Sequence, residues 1–432
     1  MKKFIITLLL AVTLLLSGMV FVACNKEETV EPVDPDDPPM ELFVYHEPLT
    51  PEEARDYHVG FATLGMDRSE DEYRGVEGIF AKYGKAEEGG MGKWVVLPAN
   101  FADEQELVIS IIASLADDPK LKAIIVNPGV QGTAAGFQRI REMGRDDILL
   151  MANMPQDDPE VMSKVADLII DSDNVMRGYY DILRAKEMGA TTFVHMSFPR
   201  HMGVYVLARR KAIYEEACKD LGIEFLDETV PDPATGDLGA AGAQQAVNDM
   251  MPGLIKKYGK DAVFFTTNIA LHEPIIKHVV ELGALFVDTD DLSPVCGFPG
   301  ALALDLTAQQ DDWPAIVKKI EEDVVAKGAG GRIGLWPYSY TNYVASALTH
   351  LAMEMIEGKA TGNTLNDIEN AFKALAPGCD WKAGVFTYPD GRKLDNYYLL
   401  SMDTYILGKG YSGVLSKPFP EKYFSIDAED PQ

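Results

Sequence analysis

From residue 57 onward, short apolar runs rich in β-branched residues alternate with longer segments whose apolar positions recur at helical spacing. This alternation is typical of βα units stacked into parallel sheets. The apolar runs predict strands over residues 57–65, 93–99, 121–128, 148–153, 167–171, 191–197, 223–229, 262–267 and 284–290. Five helical segments end in a glycine, the residue that a left-handed helix cap favours: Gly84, Gly189, Gly222, Gly259 and Gly283.

The strands form a first series of five and a second series of four. We therefore predict an α/β fold with two doubly wound parallel-sheet lobes. After residue 300 the pattern changes to two long amphipathic helices, over residues 313–328 and 341–359, which we expect to return and cover the first lobe. The "YPDGRK" turn at 388–393 lies between β-prone runs and predicts a small hairpin or a further crossing strand.

The first residues have the layout of an export signal. Lys2 and Lys3 precede a long apolar run, and Cys24 follows the run at once. The four residues "FVAC" resemble the lipobox of bacterial lipoproteins, which implies cleavage before Cys24 and lipidation of its thiol; the alternative is an ordinary cysteine near an uncleaved anchor. Residues 25–41 are acidic and proline-rich, which predicts an extended tether. We expect an extracytoplasmic protein whose lipid anchors it to the cell membrane.

These patterns together divide the chain into five predicted parts. They are a signal peptide over 1–23, a lipidated tether over 24–54, an N-terminal lobe over 55–173 plus about 305–365, a C-terminal lobe over 174–304, and an extension over 366–432 that packs on the lobes.

The formal net charge of −28 restricts the partners. A chain this acidic lacks the positive patch that nucleic-acid binding requires. Cys218, Cys296 and Cys379 have no zinc-ligand spacing, so we expect buried thiols, with a Cys296 to Cys379 disulfide as the alternative. The sequence also lacks the common catalytic and phosphate-binding motifs. We expect no metal or cofactor, and no enzyme activity.

Two local motifs carry a family resemblance. In "SDNVMRGYYDILRAKEMGA", Asp173, Asn174 and Gly178 follow a predicted strand and begin a helix. In "TTNIALH", Asn268 and Ala270 occupy a similar position in the second series. Together with the order of elements over about 55–350, these motifs resemble type I periplasmic solute-binding proteins, the sugar and nucleoside receptors of ABC importers. The whole chain is also similar to an uncharacterised family of clostridial lipoproteins related to these receptors.

In open α/β sheets, a ligand binds beyond the carboxyl ends of the strands. The polar side chains there that are suited to hydrogen bonds with a small ligand are Arg68, Asn100, Gln131, Asn153, Asp173, Ser197, Arg200, Asn268 and Asp288. Phe101, Phe198 and Trp336 offer flat faces for a sugar or nucleobase. Helix capping by Asp173 and core packing of the aromatics are the structural alternatives. Hinges are expected near 172–176, 289–295 and within 326–342.

The resemblance implies a receptor that closes two lobes over a small polar ligand, sugar- or nucleoside-like, and delivers it to an ABC permease. A sensor that reports to a signalling partner is one alternative. A hydrolase that uses the strand-end aspartates Asp288, Asp290 and Asp291 is another.

Overall fold

The computed structural model describes residues 54–235, 239–290, 292–310, 312–362, 364–376, 379 and 381–428. The predictions for the signal peptide, the tether, Cys24 and Asp291 lie outside these residues. Among the described helices, none has the length and apolarity needed to cross a bilayer.

Strands and helices alternate through most of the chain. The strands are β1 (His58–Thr63), β2 (Gly92–Val96), β3 (Leu121–Val126), β4 (Leu149–Asn153), β5 (Leu168–Ser172), β6 (Thr192–Ser197), β7 (Glu224–Thr229), β8 (Ala262–Thr266), β9 (Gly334–Leu335), β10 (Trp381–Thr387), β11 (Lys393–Met402), β12 (Tyr405–Ile406) and β13 (Gly410–Tyr411). The helices are α1 (Glu70–Tyr83), α2 (Gln105–Ser114), α3 (Thr133–Glu142), α4 (Pro159–Val165), α5 (Asn174–Glu187), α6 (Pro199–Met202), α7 (Tyr205–Leu221), α8 (Gly239–Tyr258), α9 (His272–Leu282), α10 (Phe298–Leu302), α11 (Trp313–Ala326), α12 (Tyr340–Ile356) and α13 (Leu365–Lys373).

The first sheet has the strand order β10-β11-β5-β4-β3-β1-β2. Strands β1 to β5 pair in parallel in the doubly wound order 2-1-3-4-5. The "YPDGRK" turn joins β10 and β11 as an antiparallel hairpin, and β11 also pairs in parallel with β5. The turn therefore gives both a hairpin and a further strand of the first sheet.

The second sheet repeats the start of this order. Its strand order is β7-β6-β8, and β6 pairs in parallel with both neighbours. Leu285 continues the sheet beside β8 through backbone hydrogen bonds with Phe264 (3.1 Å) and Ala262 (3.0 Å). The prediction of a continuous strand over 284–290 is wrong, because this segment pairs only through isolated bridges at Leu285 and Phe286. The prediction of an α/β fold with two doubly wound parallel sheets is confirmed.

Alternate residues of the strands face different cores, so both sides of each sheet are buried. In β1, Val59 and Phe61 join one apolar cluster and Ala62 joins another. In β8, Phe264 joins the first cluster, whereas Phe265 joins a third. Parallel sheets need such two-sided cover, and this explains the uninterrupted apolar runs of the sequence.

The two long helices pack in different places. Helix α12 lies on α1 and on strands β3 and β4, as predicted for a helix that covers the first lobe. Helix α11 packs on α10 instead, and its Trp313 meets Tyr343 of α12 with ring centroids 6.2 Å apart. The domain boundaries stay a prediction.

Cys218, Cys296 and Cys379 are buried thiols, and no disulfide joins any of these described cysteines. This agrees with the expectation of buried thiols.

Candidate ligand-binding cleft

A cavity of about 410 Å³ lies where the carboxyl ends of the two sheets face each other. The first sheet contributes the loops after β1 and β4 and the end of β5, and the second contributes helix α6, the start of α7 and the loop after β8. Parallel strands end at the same edge of a sheet, so these loops converge. The volume lies within the range of pockets that hold small organic ligands.

The floor of the cavity is a buried hydrogen-bonded chain of Asn174, Arg210 and Asp290. Arg210 donates from Nη1 to Asn174 Oδ1 at 2.8 Å and from Nη2 to Asp290 Oδ1 at 2.6 Å. Burial by itself raises the pKa of Asp290, but Arg210 and Arg177 outweigh it and hold that pKa below its usual value. Arg210 and Asp290 therefore form a buried ion pair that links α7 to the segment after the second sheet.

His272 supports this floor from below. Its Nε2 accepts a hydrogen bond from the backbone N–H of Asp290 at 3.1 Å. Burial lowers the pKa of His272 to about 4, so the ring is neutral at pH 7 and is able to accept at Nε2.

Asp171 ends β5 and also lines the floor. Tyr397 of β11 donates a hydrogen bond to its Oδ2 at 2.8 Å. Its carboxyl group forms no ion pair with any residue that the structure describes, although only 2 % of Asp171 is exposed. Burial raises the pKa of Asp171 to about 7.

Arg200, at the start of the second lobe's helix α6, spans the cleft. Its guanidinium binds Asp232 of the second lobe through two hydrogen bonds of 2.8 and 3.0 Å. It also donates to Oε1 of Gln156 in the first lobe at 3.3 Å. The guanidinium lies 5.7 Å from the ring centre of Phe101 and 5.3 Å from that of Phe198. Arg200 thus contacts both lobes at once.

A second contact crosses the cleft near its mouth, where Arg68 Nη1 donates to the carbonyl of Pro233 at 3.5 Å. Acidic residues of the same region line the cavity: Asp67 after β1, Glu70, Asp71 and Glu72 at the start of α1, and Glu273 in the first turn of α9.

The structure brings four of the twelve predicted ligand-binding residues to the cavity lining. They are Arg68, Phe101, Arg200 and Asn268. The others lie outside the lining: Asn100, Gln131, Asn153, Asp173, Ser197, Phe198, Asp288 and Trp336.

Several of these other residues have structural partners. The amide of Asn153 binds Asn127 and Tyr340, which ties the start of α12 to the first sheet. Asp173 accepts from the backbone N–H of Met176 and caps α5. Such capping was the alternative that the sequence left open for Asp173.

Two further predicted residues are core residues. Trp336 is 1 % exposed and packs edge-on against Tyr340 and Trp381. Asp288 is 1 % exposed and accepts a hydrogen bond from Thr404 at 2.8 Å. Trp381 and Thr404, which hold Trp336 and Asp288 respectively, are distant from them in the sequence.

Sequence reasoning missed Arg210, Gln156 and Glu273 among the lining residues. A signal for Arg210 does exist. Val206, Ile213 and Tyr214 form the buried stripe of α7, and Arg210 lies on the same stripe at helical spacing. An arginine on an apolar stripe needs a buried acidic partner, which here is Asp290.

Within the described part of the chain, no group of three or more histidine, cysteine, aspartate or glutamate side chains has the arrangement of a metal site.

A family model described as "Protein of unknown function (DUF3798)" matches residues 57–334, well over half of the chain. The chain belongs to the DUF3798 family. A second family model matches residues 345–426, so the matches extend into the segment that contains β10 and β11.

The DUF3798 chain is also similar to individual proteins. An uncharacterised protein of Treponema pallidum (strain Nichols) is 39% identical over 181 residues, which are 41% of this chain and 81% of that protein. A crystal structure from Clostridium difficile 630, of a protein assigned provisionally as a transcriptional regulator, is 25% identical with a TM-score of 0.67. The match covers 82% of the DUF3798 chain and 99% of that structure, which supports a shared fold.

A periplasmic solute-binding protein of an ABC transporter from Actinobacillus succinogenes 130z, solved with bound D-allose, is 13% identical with a TM-score of 0.46. This match covers 70% of the DUF3798 chain and 93% of that structure.

Proposed function

We propose that this protein is an extracytoplasmic receptor that captures a small polar molecule between its two lobes. One observation carries the proposal: the cavity lies between the carboxyl ends of two parallel sheets, and Arg200 contacts residues of both lobes across it. Loops from the two lobes form such a site only when the lobes are close together. Ligand contacts to both lobes would therefore favour the closed arrangement over an open one.

Delivery of the ligand to an ABC permease and anchoring through Cys24 belong to the same proposal. The export pattern of the first 24 residues supports the anchor, and the family resemblance supports the permease. The alternative partner is a signalling protein. The similarity to a structure with a provisional regulator assignment is compatible with that sensing role. If the protein is a transport receptor, deletion of its gene will abolish uptake of the ligand. If it is a sensor, the deletion will leave uptake intact and will change only the cell's response to the ligand.

The test of capture is direct. The full chain is purified, denatured, and the released small molecules are identified by mass spectrometry. We expect one polar compound in near-stoichiometric amount, which binds again to the refolded protein in calorimetry and is returned unchanged. Absence of any bound compound, together with no binding from a broad polar-metabolite panel, contradicts the proposal. Chemical conversion of the compound would support the hydrolase alternative.

The cross-cleft contact gives a second test. In Arg200→Ala, the closed form loses its hydrogen bond to Gln156 and the guanidinium over Phe101. We expect ligand affinity to fall by about 10- to 100-fold and the radius of gyration, measured by small-angle X-ray scattering, to rise. Lys219→Ala is the matched control, since Lys219 is exposed on α7 outside the cavity. An unchanged affinity in Arg200→Ala would show that Arg200 does not contribute to closure.

A further inference from the structure

The positive charges around the cleft are mostly compensated by the protein itself. Among the described residues that line the cavity, three are arginines and none is a lysine: Arg68, Arg200 and Arg210. Arg210 is paired with Asp290 and Arg200 is paired with Asp232. An anionic ligand would have to compete with these carboxylates for the same guanidinium groups. Arg68 is half-buried, donates to the carbonyl group of Pro233 and forms no ion pair with a described residue.

The negative charges around the cleft are compensated less completely. Asp67 and Glu273 are exposed at its mouth, and neither forms an ion pair with a described residue. At the floor, Asp171 is buried without an ion pair, and only Tyr397 donates to it from a side chain. A buried carboxylate without a cationic partner is unfavourable. Arg210 and Arg177 act on Asp171 only from beyond ion-pair distance, so a ligand in the cavity is able to supply the direct cationic partner that this carboxylate lacks among the described residues.

The cleft offers little opportunity for a ligand ring to stack on an aromatic side chain. Phe101 is the one phenylalanine, tyrosine or tryptophan among the described residues that line the cleft. It is only 4 % exposed, and the guanidinium of Arg200 lies near its ring. A sugar or nucleobase would therefore find no open aromatic face. The cavity of about 410 Å³ is also much larger than a single inorganic ion requires.

We propose that the cleft binds a small organic molecule that carries a protonated amine, with the carboxylate of Asp171 as its counter-charge and with Asp67 and Glu273 attracting it at the mouth. This inference rests on the proposed receptor function and specifies the charge of its ligand. It replaces the expectation of a stacked sugar or nucleoside with recognition by charge.

The protonation of Asp171 links binding to pH. Burial raises its pKa to about 7, while Tyr397, the backbone of Ser172, Arg210 and Arg177 act in the opposite direction. Tyr340 also lies close enough to interact with this carboxyl group. A bound cation favours the ionised carboxylate, so binding releases a proton. The affinity for an amine should therefore rise about tenfold as pH increases from about 6 to about 8.

The experiment uses the full chain and probes that differ in charge at the same chain length. Putrescine, 1,4-butanediol and succinate are compared by thermal shift and calorimetry, as are glucosamine, glucose and gluconate. The molecule released on denaturation is compared in the same assays. We expect the released molecule to contain an amine and only the amine members of each series to bind. Asp171→Asn should weaken that binding by about 10- to 100-fold and remove its dependence on pH.

Matched variants separate the role of charge from a change in fold. Glu273→Gln should weaken amine binding several-fold, more at low than at high salt, whereas Glu224→Gln, on an exposed position of β7, should not. A released or bound ligand that is neutral or acidic, or an amine whose affinity is unchanged in Asp171→Asn, overturns this inference and leaves the receptor function standing. Failure of every probe, combined with no released molecule and no binding from the broad polar-metabolite panel, overturns the receptor function as well.

Discussion

Two adjacent arginines on α7 show how residue-level contacts determine roles that the sequence does not separate. Arg209 donates to the carbonyl groups of Ile426, Thr387 and Phe424 at 2.9, 2.7 and 2.8 Å. Arg210 instead points to the cleft floor and pairs with Asp290. Both are buried, so either was open to an interpretation as a structural or a functional arginine. These four partners lie 80 to 217 residues away, and sequence periodicity carries no information about such distances.

Arg210→Met should destabilise the protein by about 3–5 kcal/mol, because it removes the hydrogen-bonded guanidinium from the buried carboxylate of Asp290 and leaves only Arg177, 4.0 Å away, as a cationic partner. The free energy of unfolding from urea titration measures this. Lys219→Met serves as a control, since the side chain of Lys219 is 77% exposed. A loss below about 1 kcal/mol in Arg210→Met would contradict a buried ion pair.

Asp171→Asn should change how stability depends on pH. The pKa of Asp171 is about 7 in the folded state and near 3.8 in the unfolded chain. Between pH 3.8 and pH 7, the folded protein therefore holds a proton on Asp171 that the unfolded chain has released. The contribution of Asp171 to stability is therefore complete below about pH 4 and is lost as pH rises through about 7. Relative to the native protein, Asp171→Asn should gain stability between pH 5 and pH 8 in urea titrations. A constant difference across this range would contradict the raised pKa.

At the scale of elements, the sequence correctly predicts features that depend only on local backbone geometry, such as the glycines at helix ends. The five glycines predicted to end helices all have positive φ, between 67° and 90°. Residues 284–290 show where the prediction fails. Their apolar run is typical of a strand, but the backbone of Phe286 bonds to the backbone of Arg332 and Gly334 instead of to β8. The carbonyl group of Thr289 accepts a hydrogen bond from Arg177. Distant partners shorten the strand and turn the chain into the cleft.

Two glycines of α1 give a matched test of helix packing. A Cβ at Gly75 would lie 2.6 Å from the carbonyl oxygen of Asn342 on α12, whereas a Cβ at Gly78 would have no atom within 4 Å. Gly75→Ala should therefore cost about 1–3 kcal/mol by forcing the helices apart. Gly78→Ala should be neutral or should stabilise by up to about 1 kcal/mol. Thermal and urea unfolding of the pair measure both, and equal effects would rule out close packing of α1 on α12.

At the scale of the whole molecule, the sequence predicted two lobes but not the way in which the C-terminal residues join them. Strand β11 extends the first sheet, whereas Tyr423 stacks on Tyr179 of α5 at 4.7 Å and donates to Asp220 at the end of α7. The extension thus contacts elements of both lobes. Aromatic and acidic positions alone did not specify these partners, because each of them has many equivalents in the chain.

The neighbouring residues Tyr423 and Phe424 test this attachment. Tyr423 is 1 % exposed and Phe424 is 41 % exposed. Tyr423→Ala should lower the free energy of unfolding by about 3–5 kcal/mol, as for other buried aromatic residues. Phe424→Ala should cost less than about 1 kcal/mol. Limited proteolysis of residues 412–428 should accelerate in the Tyr423 variant only; similar behaviour of the two variants would argue against a fixed C-terminal segment.

The pairing of β11 with β5 also affects the order in which the protein is able to fold during synthesis. Until the ribosome has made residues 393–402, the edge of β5 has no neighbour on one side and Asp171 has no tyrosine hydroxyl. An unpaired edge of this kind is a template for association with other chains. The floor of the cleft is therefore among the last parts to be completed, and chains that end prematurely would expose an adhesive strand edge instead of a binding site.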